Sequence, residues 1–451
     1  MFCQLEFMET DTYIIETESP QKPESPKLTD GDKMMDLVAR LFPICRSITG
    51  NGVRKTLDII SEIIALDRYE IPTGTQVFDW EVPREWNIRE AWIRNSNGEK
   101  IIDFADNNLH ILNYSVGINK TMSLDELKKH LYTIPAQPDL IPYRTSYYEE
   151  NWGFCMSFNQ MNNLPDGDYE VYIDSSLEKG YMTFGEFFIP GETSDEVLIS
   201  THICHPSLVN DNLSGIAVAT FLAQKLSQKR HRYSHRFLFI PGTIGAITWL
   251  SLNERRAKFV KHGLVASLLG RPGPFTYKKS RQGNADIDHV VQAVLKLSHV
   301  DHEVRPYTPY GYDERQFCSP GFNLPVGCLT RTSYAEYPEY HTSGDNLDLV
   351  DAATLKESLD MYSRILQMLE VNRRYLNVNP KCEPQLGKRG LYNNVGGDHA
   401  GKDIQMAMLW LLNFSDGSHT VLDICEKSGL DYSVMDVAIR KLVEAKLLIG
   451  L

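Results

Sequence analysis

Three polar clusters hold most of the side chains able to bind a metal or move a proton. The first is Ser200-Thr201-His202-Ile203-Cys204-His205-Pro206, running on to Asn210-Asp211-Asn212-Leu213-Ser214-Gly215. The second is Tyr312-Asp313-Glu314-Arg315-Gln316-Phe317, and the third runs from Glu336 through Glu339, Tyr340, His341 and Thr342 to Asp345 and Asn346. Imidazole nitrogen and carboxylate oxygen bind Zn²⁺ at about 2.0–2.2 Å, and a catalytic site keeps one position open for water. His202, His205, Asp211, Asp313 and His341 supply that inventory. Glu314, Glu336 and Glu339 flank these ligands and are the carboxylates able to serve as general base. Each cluster alone has a plainer reading. Asp211 would cap a helix starting near Ser214, the histidines would be ordinary loop residues, and Glu314 would pair with Arg315 or Arg331. Their co-occurrence in the order His, Asp, Asp, His points instead to a metal centre.

The elements that position them alternate strand and helix. Val197-Leu198-Ile199-Ser200 and Arg236-Phe237-Leu238-Phe239-Ile240 read as buried strands, and 324–329 as another. Residues 214–226, 286–297 and 352–369 have helical periodicity. From about 185 to 372 this gives an α/β core on a largely parallel sheet, whose ligand sites lie at the carboxyl ends of the strands. Residues 32–66 add two helices around a turn at 46–52. The stretch 76–180 is richer in aromatics and in short period-2 runs bounded by Asn and Gly, which predicts an inserted, mostly β domain. Its Tyr143-Arg144-Thr145-Ser146-Tyr147-Tyr148 run either overhangs the metal site or fills the insert's own core. The organisation expected is a disordered tail over 1–30, a main domain from 31–75 and 181–375, the insert at 76–180, and a C-terminal unit at 385–451. In that last unit helices at 404–412, 421–427 and 432–446 make a winged-helix pattern.

Val-Leu-Ile-Ser-Thr-His202, Asn210-Asp211-Asn212-Leu-Ser-Gly215, Asp313 and Tyr340-His341-Thr342 together resemble the zinc aminopeptidases of the glutamate-carboxypeptidase and transferrin-receptor type. The whole chain further resembles a bacterial family of aminopeptidase-like proteins, often associated with polysaccharide-biosynthesis loci. Its markers here are Arg46-Ser-Ile-Thr-Gly50, Glu81-Val-Pro-Arg-Glu-Trp86 and His202-Ile-Cys-His-Pro206. The resemblance implies a zinc-exopeptidase-like mixed sheet flanked by helices, with the inserted β-rich domain and the C-terminal winged helix. It makes Asp211 the carboxylate shared between metals, with His202 and Asp313 on one ion and His341 on the other.

Two departures matter. The aspartate expected two residues after the first histidine is Cys204, and His205 competes for the ligand role. Where such aminopeptidases carry two adjacent glutamates, a general base and a metal ligand, this chain has Gly242-Thr243. Neither can take a proton from water at neutral pH. One zinc ion is therefore expected rather than two. Zinc lowers the pKa of bound water from 15.7 to about 7, so part of the activation survives without that glutamate. Two functions follow: a zinc-dependent aminopeptidase-like hydrolase using a metal-activated water on a peptide or aminoacyl substrate, or a weakened peptidase fold that binds and scaffolds, its winged helix mediating protein contacts.

Composition narrows the partners. The 451 residues carry 59 acidic and 46 basic side chains, a net charge of −13. Such a chain repels phosphate backbones unless it concentrates a basic patch. Residues 401–451 hold 5 basic and 7 acidic side chains, so the would-be recognition helix is not a basic one. Nucleic acid is a poor partner, and a protein partner or a second copy of the chain a better one. No apolar run reaches the roughly 18 residues of a membrane span, and the N-terminus lacks a signal-peptide pattern. Eight singly scattered cysteines read as reduced thiols. A cytoplasmic protein is expected.

Overall fold

The structure, a computed structural model, describes residues 28–391 and 399–451. Most of the expected N-terminal tail lies outside them. The first helix, α1 (Asp30–Leu41), starts inside that expected tail because Thr29 and Asp32 form a reciprocal cap, Asp32 N–H donating to Thr29 Oγ1 at 3.2 Å. Its residues Met34, Leu37, Val38 and Leu41, at helical spacing, are buried.

Eight strands build the central sheet: β1 (Asp67–Pro72), β2 (Tyr181–Ile189), β3 (Glu196–His202), β4 (Ser234–Ile240), β5 (Val260–Ala266), β6 (Phe275–Lys278), β7 (His302–Arg305) and β8 (Val326–Thr330). They lie in the order β1-β2-β4-β3-β5-β8-β6-β7. Strands β4, β3, β5 and β8 are parallel, whereas β2 runs antiparallel to β1 and β4, and β6 antiparallel to β8. The sheet is mixed, as expected. After β3 the chain moves to β4 on one side and returns to β5 on the other. The carboxyl end of β3 is thus the switch point at which an α/β sheet opens a crevice. Every residue of β3 and β4 is buried, which is why 197–199 and 237–240 read as unbroken apolar runs.

Alternate side chains of these strands serve two cores. Val197, Ile199, Phe237 and Phe239 face the layer containing α1, α2 (Asn51–Ser61), α3 (Gly215–Leu226), α5 (Asp286–Leu297) and α6 (Ala352–Val371). Leu198, Leu238 and Ile240 face α4 (Ile244–Leu252) and Phe317 on the other side. Charged side chains buried on β2, β3 and β4 pair with one another. Arg236 donates from Nε and Nη2 to Glu196 at 2.6 and 2.7 Å and from Nη1 to Glu186, which also accepts from Trp249 Nε1 at 2.9 Å.

The inserted segment forms a separate antiparallel sheet of Lys100–Asp103, Glu85–Arg94, Asp168–Glu178 and Ile118–Ser123, in that order. The C-terminal unit consists of α7 (His399–Phe414), α8 (Val421–Ser428), α9 (Tyr432–Glu444) and a three-stranded sheet with Arg374–Asn377 at its centre. This is a winged helix, and its central strand comes before the C-terminal unit expected at 385–451. Leu411, Ile424, Met435 and Leu442 join the same buried core as α5 and α6, so the unit is packed onto the body. Among the described residues no helix is long and apolar enough to cross a membrane.

Candidate metal centre

The three sequence clusters converge beyond the carboxyl ends of β3 and β4. His202 is the last residue of β3, paired in register with Ile240 of β4. Asp211, wholly buried, stands at the centre. His202 Nε2 lies 2.8 Å from its Oδ1, and His341 Nε2 lies 2.9 Å from its Oδ2. His205 Nε2 is 3.9 Å from the same Oδ2. Both histidines of the His-Ile-Cys-His-Pro string therefore face the aspartate. Burial opposes ionisation of Asp211, yet His205, His202 and His341 together hold its carboxyl well below the ordinary range. Burial also pushes the His205 imidazolium well below its usual pKa, leaving the neutral ring that a metal ligand requires.

Backbone and packing fix this geometry. Asp345, fully buried, accepts from the amides of Asn210 at 2.6 Å and Asp211 at 2.9 Å, and its own carbonyl accepts from Val209 N–H at 3.2 Å. Asn212 Nδ2 donates to Thr201 Oγ1 at 2.9 Å and to the His202 carbonyl at 3.1 Å. Arg46, from the turn between α1 and α2, donates through Nε to the His205 carbonyl at 2.9 Å and through Nη1 to the Leu41 carbonyl at 2.7 Å. His341 adopts φ of +55°, a conformation uncommon outside glycine, and its carbonyl accepts from Tyr143 N–H at 2.8 Å. The rings of Tyr143, Tyr312 and Tyr340 pack on the histidines, with centroids 5.0 Å from His205, 4.9 Å from His202 and 4.0 Å from His341 respectively. Tyr143 belongs to the inserted domain, so the aromatic run there does overhang the site.

Asp313 adjoins this group on the side of Gly242. It is buried, and neither carboxylate oxygen has a hydrogen-bond partner. Burial raises its pKa to about 7, against the pull of His202. A Cβ on Gly242 would stand 3.1 Å from His202 Cβ and 3.4 Å from Asp313 Oδ1. His202 Nδ1 is likewise unpartnered. That is the nitrogen an aspartate at position 204 would orient. The Cys204 thiol instead lies 3.4 Å from Nδ1 of His205.

The three glutamates read as general-base candidates have other engagements. Glu314 is buried against Lys278 and lines a cavity of about 270 Å³ with Arg305 and Tyr334, pointing away from its neighbour Asp313. Glu336 accepts from Arg305 at 2.5 and 3.0 Å on an exposed loop, and Glu339 lies 3.7 Å from Arg271. Beside Gly242 and Thr243 is a cavity of about 190 Å³ lined by Ile48, Tyr147, Tyr148 and Arg315, among others, with no carboxylate in its wall.

The donor set tests well for zinc: imidazole and carboxylate groups only, 2.8–3.9 Å apart around one aspartate, with two further carboxylate oxygens buried and unsatisfied alongside. Asp345 and Arg46 sit within quoted motifs, but their roles as backbone braces depend on contacts across 134 and 159 residues.

Residues 35–372 match the family model described as a domain of unknown function (DUF4910), and 373–450 match one described as winged helix-turn-helix. A Clostridium acetobutylicum protein, provisionally named a polysaccharide biosynthesis protein with an aminopeptidase-like domain, is 52% identical over 93% of this chain and 96% of its own. A crystal structure of a chain from Clostridium acetobutylicum, provisionally described as a peptidase, superposes with a TM-score of 0.88 at 51% identity, covering 93% of this chain and 96% of that one. More distant likeness of fold extends to a zinc aminopeptidase from Bacillus subtilis (TM-score 0.53, 12% identity, 75% of this chain and 94% of that one). A peptidase M28 precursor from Shewanella amazonensis is similar at the same level (TM-score 0.54, 13% identity, 75% and 92%).

Proposed function

The chain belongs to the DUF4910 family, with an aminopeptidase-like fold related to zinc aminopeptidases, and from that premise we propose that it is a zinc-dependent hydrolase of peptide or aminoacyl substrates whose turnover is slow. The observation that carries the proposal is the buried Asp211 carboxylate, with one oxygen on His202 and the other on His341. His202, His205, Asp211 and Asp313 would hold the principal ion, with His341 on the outer side of the shared aspartate. When bound, zinc supplies a Lewis acid that polarises a carbonyl and acidifies water.

The chain's own residues do the rest. Asp345 and Arg46 keep the two ligand-bearing loops in place, and the tyrosine rings fix the imidazole planes and limit solvent entry. Arg315, in the cavity beside Gly242, offers a cation to an anionic part of the substrate. What the site lacks is a carboxylate at position 242 or 243 to take a proton. A general base contributes about 10²–10⁴-fold, which is the reason for proposing slow turnover.

The test is a panel of aminoacyl anilides and dipeptides assayed with zinc, cobalt and manganese. Metal-dependent hydrolysis that His341→Ala abolishes supports the proposal, and no hydrolysis by a metal-loaded protein overturns it. The Gly242-Thr243 pair favours a second reading, a binding protein that keeps the fold and the metal. On that reading the panel yields saturable, metal-dependent binding without product.

For the C-terminal unit we propose a protein-contact role in preference to DNA reading. Tyr432 of α9 donates to Gln367 of the body, Asp436 lines the same groove as Arg364, and Arg440 is paired with Asp436. A cytoplasmic location fits this assignment.

A further inference from the structure

A second group of metal-binding side chains lies at the opposite, amino-terminal end of β4. His231 sits in the turn between α3 and β4, His235 is the second residue of β4, and Glu370 is in the last turn of α6. One donor atom from each residue comes within 4.8 Å of the other two. His235 is fully buried, and neither ring nitrogen has a hydrogen-bond partner. Its Nε2 stands 3.5 Å from Glu370 Oε1. His231 Nε2 lies 2.9 Å from the Leu226 carbonyl. A carbonyl only accepts, so Nε2 carries the hydrogen and Nδ1 keeps its lone pair. This second contact is of the kind that fixes the tautomer of a metal-ligating histidine.

Glu370 is oriented in the same way. Its carboxylate accepts from the amides of Arg232 at 2.7 Å and Tyr233 at 3.3 Å. The buried His235 ring therefore has a braced carboxylate on one side and a tautomer-fixed imidazole on the other. An ordinary buried histidine satisfies its nitrogens with hydrogen bonds; this one has only the 3.5 Å approach of Nε2 to Glu370, and its Nδ1 has no partner.

We propose that His231, His235 and Glu370 form a second transition-metal site, of the two-imidazole, one-carboxylate class that suits zinc, at the seam between the peptidase-like body and the winged helix. His231 and Glu370 line the groove of about 700 Å³ that the body shares with Tyr432 and Asp436 of α9. Three protein donors leave a position for water or an incoming ligand. The ion would join the amino-terminal end of β4 to the end of α6, the helix from which the chain passes into the winged helix. The site is independent of the Asp211 centre, at the other end of the same strand.

The experiment uses the full chain carrying Asp211→Asn, which removes the shared carboxylate of the first site. The protein is stripped of metal, titrated with Co²⁺ followed by visible absorption, and its zinc content measured after equilibrium dialysis. One equivalent of metal is expected, lost in the Asp211→Asn/His231→Ala protein and bound at least tenfold more weakly with Glu370→Gln. His231 lies in a partly exposed turn, and circular dichroism of its variant is expected to match the parent. No bound metal in a folded Asp211→Asn protein overturns the proposal, as does an equivalent indifferent to both substitutions. If Asp211→Asn does not fold, the titration is run on the otherwise unmodified chain. There His231→Ala must lower the stoichiometry by one, and an unchanged value overturns the proposal.

Discussion

Gly242→Glu is the substitution whose outcome the structure constrains most. Gly242 follows β4 after Pro241, and its φ lies outside the left-handed region, so its backbone accepts a side chain. The new Cβ would lie 3.1 Å from His202 Cβ and 3.4 and 3.6 Å from the two Asp313 oxygens, which places the glutamate beside the ligand cluster. The tight contact with His202 costs about 1–3 kcal/mol of stability, the usual range for an overpacked position. Like-charge repulsion with Asp313 disfavours the metal-free protein further, and a bound cation relieves it. Against this, a general base supplies about 10²–10⁴-fold in rate, which is roughly 3–5 kcal/mol of barrier at about 1.4 kcal/mol per tenfold. The expected result is a protein that melts a few degrees lower without metal and hydrolyses aminoacyl anilides at least 100-fold faster than the unmodified chain when loaded. The assay is kcat with metal content measured on the same sample. A folded Gly242→Glu protein with unchanged metal content and no gain in kcat would refute the argument that the missing base limits turnover.

Other consequences can be measured directly. Asp211→Asn removes a charge that engages two histidines at 2.8 and 2.9 Å; at about 1.5–3 kcal/mol for each charge-assisted contact, metal affinity at this centre should fall by more than about 100-fold in a dialysis titration. Metal uptake should release a proton in the pH range where Asp313 still holds one. Its folded pKa is raised to about 7, so its proton is retained below that pH, and affinity at the centre should climb as pH rises from about 5 to 7. In Asp313→Asn that part of the slope should vanish, and a slope of undiminished size would contradict the assignment. By the same linkage, Asp313 binds its proton more tightly in the folded metal-free protein than an ordinary aspartate does in the unfolded chain. Its contribution to stability is therefore greatest at the acid end of that interval and is lost as pH rises toward 7. Arg236→Ala leaves Glu186 and Glu196 buried without their counter-charge and should destabilise the fold by about 3–5 kcal/mol, read from the urea midpoint at unchanged m-value.

The parts of the fold that could be read from sequence are those with strong local signals. Strands β3 and β4 are buried on both faces and so contain continuous apolar runs, while α3, α5 and α6 carry one apolar face each. Strands β6 and β7 have four residues apiece and include Lys278, Arg305 and Glu303, too short and too polar to stand out. Strand Arg374–Asn377 is similarly brief, and only its pairing on both sides makes it the centre of the winged-helix sheet. The grouping of His202, Asp211 and His341 followed from residue type and order, since His202 ends a strong strand and Asp211 precedes a strong helix. The roles of the flanking glutamates did not. Asp313 and Glu314 are adjacent, but Asp313 lies beside Gly242 whereas Glu314 pairs with Lys278 in the wall of a cavity, and Glu336 is captured by an arginine 31 residues away. Nothing local in the sequence encodes that capture. The braces supplied by Arg46 and Asp345 were hidden for the same reason, because each acts on backbone brought near only by the finished sheet.

The central claim is that the Asp211 cluster binds a metal ion. Anomalous diffraction at the zinc edge, from crystals of the full chain grown with zinc, tests it most directly. The account predicts a peak within about 2.0–2.2 Å of an Asp211 oxygen and of imidazole nitrogens from His202 or His205. Zinc-replete crystals with no peak beside Asp211, whatever is bound elsewhere, would contradict it.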